Sequence, residues 1–394
     1  MTDLLARASR ELAIPESQVA ATSELLDAGN TIPFIARYRK EATGGLDEVQ
    51  IQSIQDRVDY LRGLEKRRED VLRLIDEQGK LTDELAGRIR AAETLHELED
   101  LYLPYRQKRK TRASVAREKG LAPLADLILS QPLSAGTPEE LALPFLSEEL
   151  GVETVEQALA GARDIVAETA SEDAAVRGAL RELFFREALL AATVADRTKD
   201  PGQKYTLYYS FSEPAGRIPP HRVLALNRAE SEEVVRVSVE LPYERARPFI
   251  ASRYRPNPRS PFASQLESAL EDGYRRLLSL SLEREVRSAL TEKAEADAIG
   301  LFAANLRGLL LQPPLRGRKV MGIDPGFRTG CKVAVVDATG KYLEGATIYP
   351  HEPQRRWQAA KEVILALAGR HGADVVAIGN GTASRETEAL VAEA

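Results

Sequence analysis

Cysteine is almost missing from this chain: Cys331 is the single one in 394 residues. That excludes an internal disulfide and fits an intracellular setting. Histidine is scarce too. His96, His221, His351 and His371 lie far apart, and with one cysteine they form no zinc-ligand spacing. No apolar run approaches the ~18 residues that span a bilayer, which excludes a transmembrane helix. The opening stretch MTDLLARASRELAI carries acids and lacks the apolar core of a signal peptide. We therefore expect a cytoplasmic protein with no membrane partner. A surplus of basic charge is also absent: the formal net charge is −6, with 29% charged residues. Any polyanion site must then be a local patch. No clean repeat of about 20–50 residues is visible, so a solenoid is not expected.

What is present is length enough for two or three domains, with a change of texture along the chain. Residues 2–13 and 16–28 carry apolar side chains at helical spacing, and Gly29 and Asn30 read as a helix end. Pro33 suits an early helical position, and Gly44-Gly45 break the chain before a long helix. There Ile51, Ile54, Val58 and Leu61 repeat at steps of three and four, continued by Val71, Leu72 and Ile75. Thr82 reads as the N-cap of a following helix. Residues 120–195 read as further helices, punctuated by Pro132, Gly136 and Pro144. The texture then turns rich in Tyr, Pro and Gly, and EEVVRVSVEL alternates as a strand does. Helix returns from Ser264 to about Leu310, with Leu266, Leu270, Tyr274, Leu277 and Leu278 on one side, and QPPLRGR is a linker.

From Lys319 the period becomes two or continuous. KVMGID, CKVAVVD, YLEGATIYP and ADVVAIGNG read as strands. An amphipathic helix ending on Gly372 lies between the third and fourth, and SRETEALVAEA opens another. Three strands with tight connections, a helix and a fourth buried strand make the first half of a mixed sheet with a crossover. The expected fold is multidomain. A mostly α-helical region, 1–195, is followed by a mixed segment with helices, 196–318, and an α/β domain, 319–394, that stops short of a full sheet.

Several constellations could carry chemistry. Asp324 ends the first strand of the last domain and is followed by Pro-Gly, at the sheet edge where α/β ligands gather. Either it is a metal or polyanion contact, or it opens a turn and accepts backbone N–H bonds. Two-metal cleavage needs further carboxylates close by. Asp337 ends a different strand, Glu386 and Glu388 lie in the next helix, and the fourth strand ends in Gly379-Asn380. A kinase-like reading, with Arg328, Thr329 and backbone amides holding a phosphate, needs a second such turn more than a hundred residues on. The Walker spacing is absent.

The second constellation is YLPYRQKRKTRASVAREKG, with Arg106, Lys108, Arg109, Lys110, Arg112, Arg117 and Lys119 against one acid, after Tyr102 and Tyr105. Such cation density suits phosphates, and nearby rings suit bases. The alternative is a solvated loop, or a seat for acidic side chains of another domain. The preceding Glu93, Glu97, Glu99 and Asp100 stand ready to neutralise part of it. Third, Arg37, Arg39 and Lys40 flank Tyr38 in IPFIARYRKEATGG, where composition favours a packing element with a charged rim. Fourth, His221 and Arg222 follow two prolines, and no Ser or Cys partner for a catalytic His221 is identifiable.

Together TIPFIARYRKEATGGLDE, LEDLYLPYRQKRKTRASVAREKGLAPLA, SEPAGRIPPHRVLALNRAE, VMGIDPGFRTGCKVAVVD and AIGNGTASRETE resemble, in order, the signature runs of the Tex family of bacterial transcription accessory proteins. The resemblance spans nearly the whole chain. It implies a helical N-terminal region with a helix-turn-helix-like part, and a YqgF-type domain of RNase H-like fold from near Lys319. Tandem helix-hairpin-helix motifs and an OB-type RNA-binding domain follow in the family, and neither lies in these residues. It further implies an RNA- and/or DNA-binding scaffold acting with RNA polymerase or the associated transcription and translation machinery, with no cofactor. Arg106, Lys108, Arg109, Lys110, Arg112, Arg117, Lys119 and Arg328 are then the expected phosphate contacts. In Holliday-junction resolvases sharing the fold, the position of Asp324 is the first catalytic carboxylate. Their second acid lies where this chain has Gly379-Asn380, and the remaining positions would lie past Ala394. The alternative function is a magnesium-dependent RNase H-like nuclease or resolvase using Asp324.

Overall fold

The computed structural model describes every residue but Met1, Lys108, Ser134, Ala135 and Pro314, and only the backbone of Thr2 and Asp3. The chain forms two compact units, Met1–Ile299 and Gly300–Ala394. No helix among the described residues is long and apolar enough to cross a membrane.

The first unit opens with α1 (Thr2–Leu12), α2 (Glu16–Asp27), α3 (Ile32–Tyr38), α4 (Lys40–Thr43) and the long α5 (Glu48–Asp76). Asp47 starts α5 with a reciprocal cap: its carboxylate accepts from the Gln50 amide at 2.8 Å, while the Gln50 side chain accepts from the Asp47 amide. The apolar stripe of α5 is the spine of two separate cores. Ile51, Ile54, Val58 and Leu61 pack with Ala8, Val19 and Ile35. Leu64, Val71 and Ile75 pack with residues of α6 (Asp83–Ala91) and α7 (Leu95–Tyr102). Each such buried Leu or Ile contributes about 1.5–3 kcal/mol relative to exposure.

The largest core lies further on, among α8 (Arg112–Glu118), α9 (Ala122–Ser130), α10 (Pro138–Ala142), α11 (Val155–Ser171), α12 (Ala174–Glu187), α13 (Pro220–Ser231), α14 (Tyr243–Tyr254), α15 (Ala263–Gly273) and α16 (Ser279–Leu310). A three-stranded antiparallel sheet joins it, with β1 (Leu189–Val194) between β2 (Ser210–Pro214) and β3 (Val235–Glu240). The helical reading of 120–195 therefore ends at Glu187. LLAATV is a central strand with a neighbour on each side. Its short continuous apolar run carries no alternation that would separate strand from buried helix. Because β1 pairs with strands beyond residue 196, residue 195 does not divide compact units.

A π-helical turn, Tyr274–Leu278, links α15 to α16. Leu282, Val286, Leu290 and Ala294 of α16 are buried, yet every residue from Glu295 to Gln312 is exposed. Ile299, Leu301, Phe302, Leu306, Leu309, Leu310 and Leu311 are all large apolar side chains facing solvent there.

In the second unit, β4 (Val320–Asp324), β5 (Cys331–Val336), β6 (Tyr342–Ile348) and β7 (Val375–Ile378) form a sheet in the order β6-β5-β4-β7. β7 runs parallel to β4 and the other pairs are antiparallel. α17 (Trp357–His371) is the crossover, ending on Gly372 in the left-handed region as expected, and α18 (Ser384–Glu393) follows β7. Met321, Ile323, Val333, Val335 and Ile348 pack against Ile364, Leu367 and Leu390 of the two helices. This is the mixed sheet with a crossover that the periodicity predicts.

Candidate nucleic-acid interface and the Asp324 sheet edge

The basic run starts where α7 ends and continues into α8. Its cations divide into two groups. Arg117 is tied down, its guanidinium 2.5 Å from the buried carboxylate of Glu168. Lys119 donates to the Gly151 carbonyl at 2.8 Å. Both hold the fold together. Lys110 lies 3.5 Å from Glu118, a loose and exposed pair. Arg106, Arg109 and Arg112 are exposed and form no ion pair among the described residues, although Asp164 feels the field of Arg112. Lys108 lies outside the described residues.

Three of the four acids expected to neutralise the run, Glu97, Glu99 and Asp100, are turned elsewhere. Glu97 caps α7 through the Thr94 amide. Glu99 takes a two-pronged bond from Arg67 at 2.6 and 3.2 Å. Asp100 is buried and accepts from Arg177 at 2.6 Å and Arg181 at 2.7 Å. Both arginines also grip Glu285 of α16, so four charges from α7, α12 and α16 close one network. Ser281 accepts a further bond from Arg177 at 3.1 Å. Nothing in the local sequence announces this network, because bonded partners in it lie as far as 108 residues apart.

The two tyrosines differ. Tyr102 is buried in the second core with Arg67 over its ring at 5.1 Å, so it does not offer a face to a base. Tyr105 is half-exposed and lines a cleft of about 570 Å³ with Lys80, Arg88, Arg117 and Arg253. His221 is exposed on the first turn of α13, and its neighbour Arg222 pairs with Glu213. Among the described residues no nucleophile is bonded to His221.

Asp324 is the last residue of β4 and is exposed. The parallel register that opposes Ile323 to Ile378 brings Gly379 next to it. A Cβ at Gly379 would lie 3.7 Å from the Asp324 carboxylate and 3.2 Å from the Pro325 ring. The position where a second acid is wanted is therefore adjacent, and it holds a hydrogen atom. The Asp324 carboxylate accepts no hydrogen bond among the described residues, so the turn-capping role is not taken up. Asp337 instead caps its own turn, accepting from Thr339 and Lys341 amides. Those bonds, led by the one from the Thr339 hydroxyl, hold its carboxyl below the ordinary range. Among the described residues no group of three or more His, Cys, Asp or Glu is arranged to hold a metal ion. The residues present do not fit a two-magnesium site, since a lone carboxylate supplies too few oxygen ligands to hold two cations.

The turn after Asp324 is shaped by Gly330, at φ 77°, where a Cβ would meet the Ile348 carbonyl at 2.8 Å and the Tyr349 ring at 2.6 Å. Arg328 is exposed at the tip, without an ion pair among the described residues. Beneath the turn lies a buried polar chain that the sequence did not announce. His351 Nε2 is 2.9 Å from Thr387 Oγ1, which donates to the Ala383 carbonyl and lies 3.7 Å from Cys331 Sγ. The Phe327 ring meets His351 edge-on, with centroids 5.6 Å apart. Burial pushes the His351 pKa below its ordinary 6.5, and the nearby Glu386 carboxylate opposes this in part.

Three family models match the chain in succession. They are the Tex-like protein N-terminal domain over residues 2–76, the Tex central region over 134–302, and the Tex protein YqgF-like domain over 318–394. Protein tex of Bordetella pertussis is 44% identical over 403 residues, covering 99% of this chain and 51% of that protein. Transcriptional accessory protein Tex of Neisseria gonorrhoeae is 41% identical, over 98% of this chain and 50% of that protein. Human S1 RNA-binding domain-containing protein 1 is 33% identical, over 94% of this chain and 38% of that protein. The chain thus spans about half the length of the bacterial relatives it matches. With three Tex-type regions in sequence, the last of them coinciding with the four-stranded mixed sheet, the chain belongs to the Tex family.

Proposed function

We propose that the chain is the part of a nucleic-acid-binding transcription accessory factor that works as a scaffold with RNA polymerase or its associated machinery in the cytoplasm. It holds RNA or DNA by the phosphate backbone, without strong sequence readout. The observation that carries this reading is the set of open cations Arg106, Arg109 and Arg112. Glu97, Glu99 and Asp100 are committed to partners outside the run, and these three guanidiniums stay without an ion pair among the described residues in a chain whose net charge is −6. The names of two relatives, a transcriptional accessory protein and an S1 RNA-binding domain-containing protein, support the same reading. A scaffold fits better than a nuclease because Asp324 has Gly379, rather than an acid, beside it.

The test is a salt titration of binding to single-stranded RNA by the whole chain and by the Arg106→Gln/Arg109→Gln/Arg112→Gln variant. Losing three phosphate contacts should flatten the slope of log affinity against log salt by about 2, at roughly 0.7 per contact. An unchanged slope removes the run from the interface. In parallel, magnesium-dependent cleavage of branched DNA that vanishes in Asp324→Asn would replace the scaffold with the nuclease.

A further inference from the structure

Helix α3 was expected to be a packing element with a charged rim, and half of it is. Ile35 and Ala36 are buried against the first core. The other face is unusual. Tyr38 is 67% exposed, and its ring sits 5.4 Å from that of half-buried Phe34 at an interplanar angle of 45°. The Arg39 guanidinium lies over Phe34, 5.1 Å from its centroid, and donates to the Tyr38 carbonyl. Arg37 and Lys40 are exposed on either side, with no ion pair among the described residues. Glu41 is the only acid between Thr31 and Leu46. On α2, which packs beside α3, Asp27 is already gripped by Arg62 at 2.6 and 2.7 Å.

An outward tyrosine ring, backed by a second ring and an arginine and bracketed by unneutralised cations, has the chemistry of a base-stacking platform. The ring face takes any base, and the cations take the flanking phosphates. A flat hydrophobic partner would leave Arg37 and Lys40 desolvated and unpaired, at a cost a polyanion does not incur. We propose that α3 is a second nucleic-acid contact, where an unstacked base of a single strand lies on Tyr38 while Arg37, Arg39 and Lys40 hold its phosphates. The proposal rests on the nucleic-acid reading above and deepens it, because stacking on an exposed ring selects single strands over duplexes.

The experiment measures binding of a uridine oligomer of about 15 nucleotides, and of a duplex of equal length, to the full chain. Tyr38→Ala should weaken oligomer binding about tenfold, leave its salt slope unaltered and leave duplex binding intact. Tyr38→Trp, made with Trp357→Phe, should retain affinity, and its indole emission should fall on binding. Arg37→Gln/Lys40→Gln should flatten the salt slope by about 1.4. Oligomer affinity unchanged in Tyr38→Ala, or an equal loss on duplex, would overturn the proposal. If only the Arg106/Arg109/Arg112 variant loses affinity, the α3 contact falls and the wider reading stands. If the unaltered chain binds no nucleic acid, both fall. If Tyr38→Ala weakens binding of polyglutamate but not of the oligomer, α3 is a protein-docking face and the proposal is overturned.

Discussion

Arg177 keeps only 6% of its side chain in contact with solvent and holds two carboxylates at once. Burying that charge is tolerable only because Asp100, Glu285, Arg181 and Ser281 satisfy one another around it. Arg177→Met should therefore destabilise the first unit by about 3–5 kcal/mol, because it leaves buried Asp100 and partly buried Glu285 sharing one arginine. Urea unfolding followed by far-ultraviolet dichroism reads this directly, and a loss below ~1 kcal/mol would mean that water already reaches the network. Single residues were the least legible scale in the sequence. Charge density marked the run 106–119, but not that Arg117 and Lys119 are spent inside the fold while Arg106 and Arg109 are open. Tyr102 and Tyr105 look alike in the string, yet only burial separates them. The neighbour of Asp324 was legible, because a first and a fourth strand lying side by side fix which residue stands next to it.

Elements were legible wherever periodicity or capping chemistry was strong. The stripe of α5 and the strands of the last unit follow from spacing alone. β1 escaped because its short apolar run carries no polar–apolar alternation, and pairing partners about 20 and 45 residues away decide its state. The buried link between the loop before α17 and the first turn of α18 escaped too, since it joins His351 to Thr387 through space. That link makes the second unit sensitive to acid. In the folded state His351 resists its proton below pH 6.5, whereas the unfolded chain takes it up there. Stability is therefore full above pH 6.5 and lost as the pH falls from that value through the lowered folded pKa. Thermal melts of the second unit should shift down between neutral pH and pH about 5, and His351→Gln should flatten that dependence. A dependence unaltered in His351→Gln would assign the acid sensitivity to carboxylates instead.

At the scale of the whole molecule, the separate cores and the patches of open charge divide the labour. Packing fixes the units, while the surface cations of the run 106–112 and of α3 are free to meet a polyanion. The succession from helical texture to sheet was plain in the sequence, because the period changes at Lys319. The last turns of α16 were read only as helix continuing to about Leu310; among the described residues their large apolar side chains stay exposed. A row of leucines, an isoleucine and a phenylalanine left in water makes the chain greasy at that spot. Anilinonaphthalene sulfonate should brighten on contact with the native protein, and sedimentation should show faster species as concentration rises. Phe302→Glu with Leu309→Lys should dim the dye and keep the chain dispersed, so anyone purifying it meets that oily spot before any nucleic acid does.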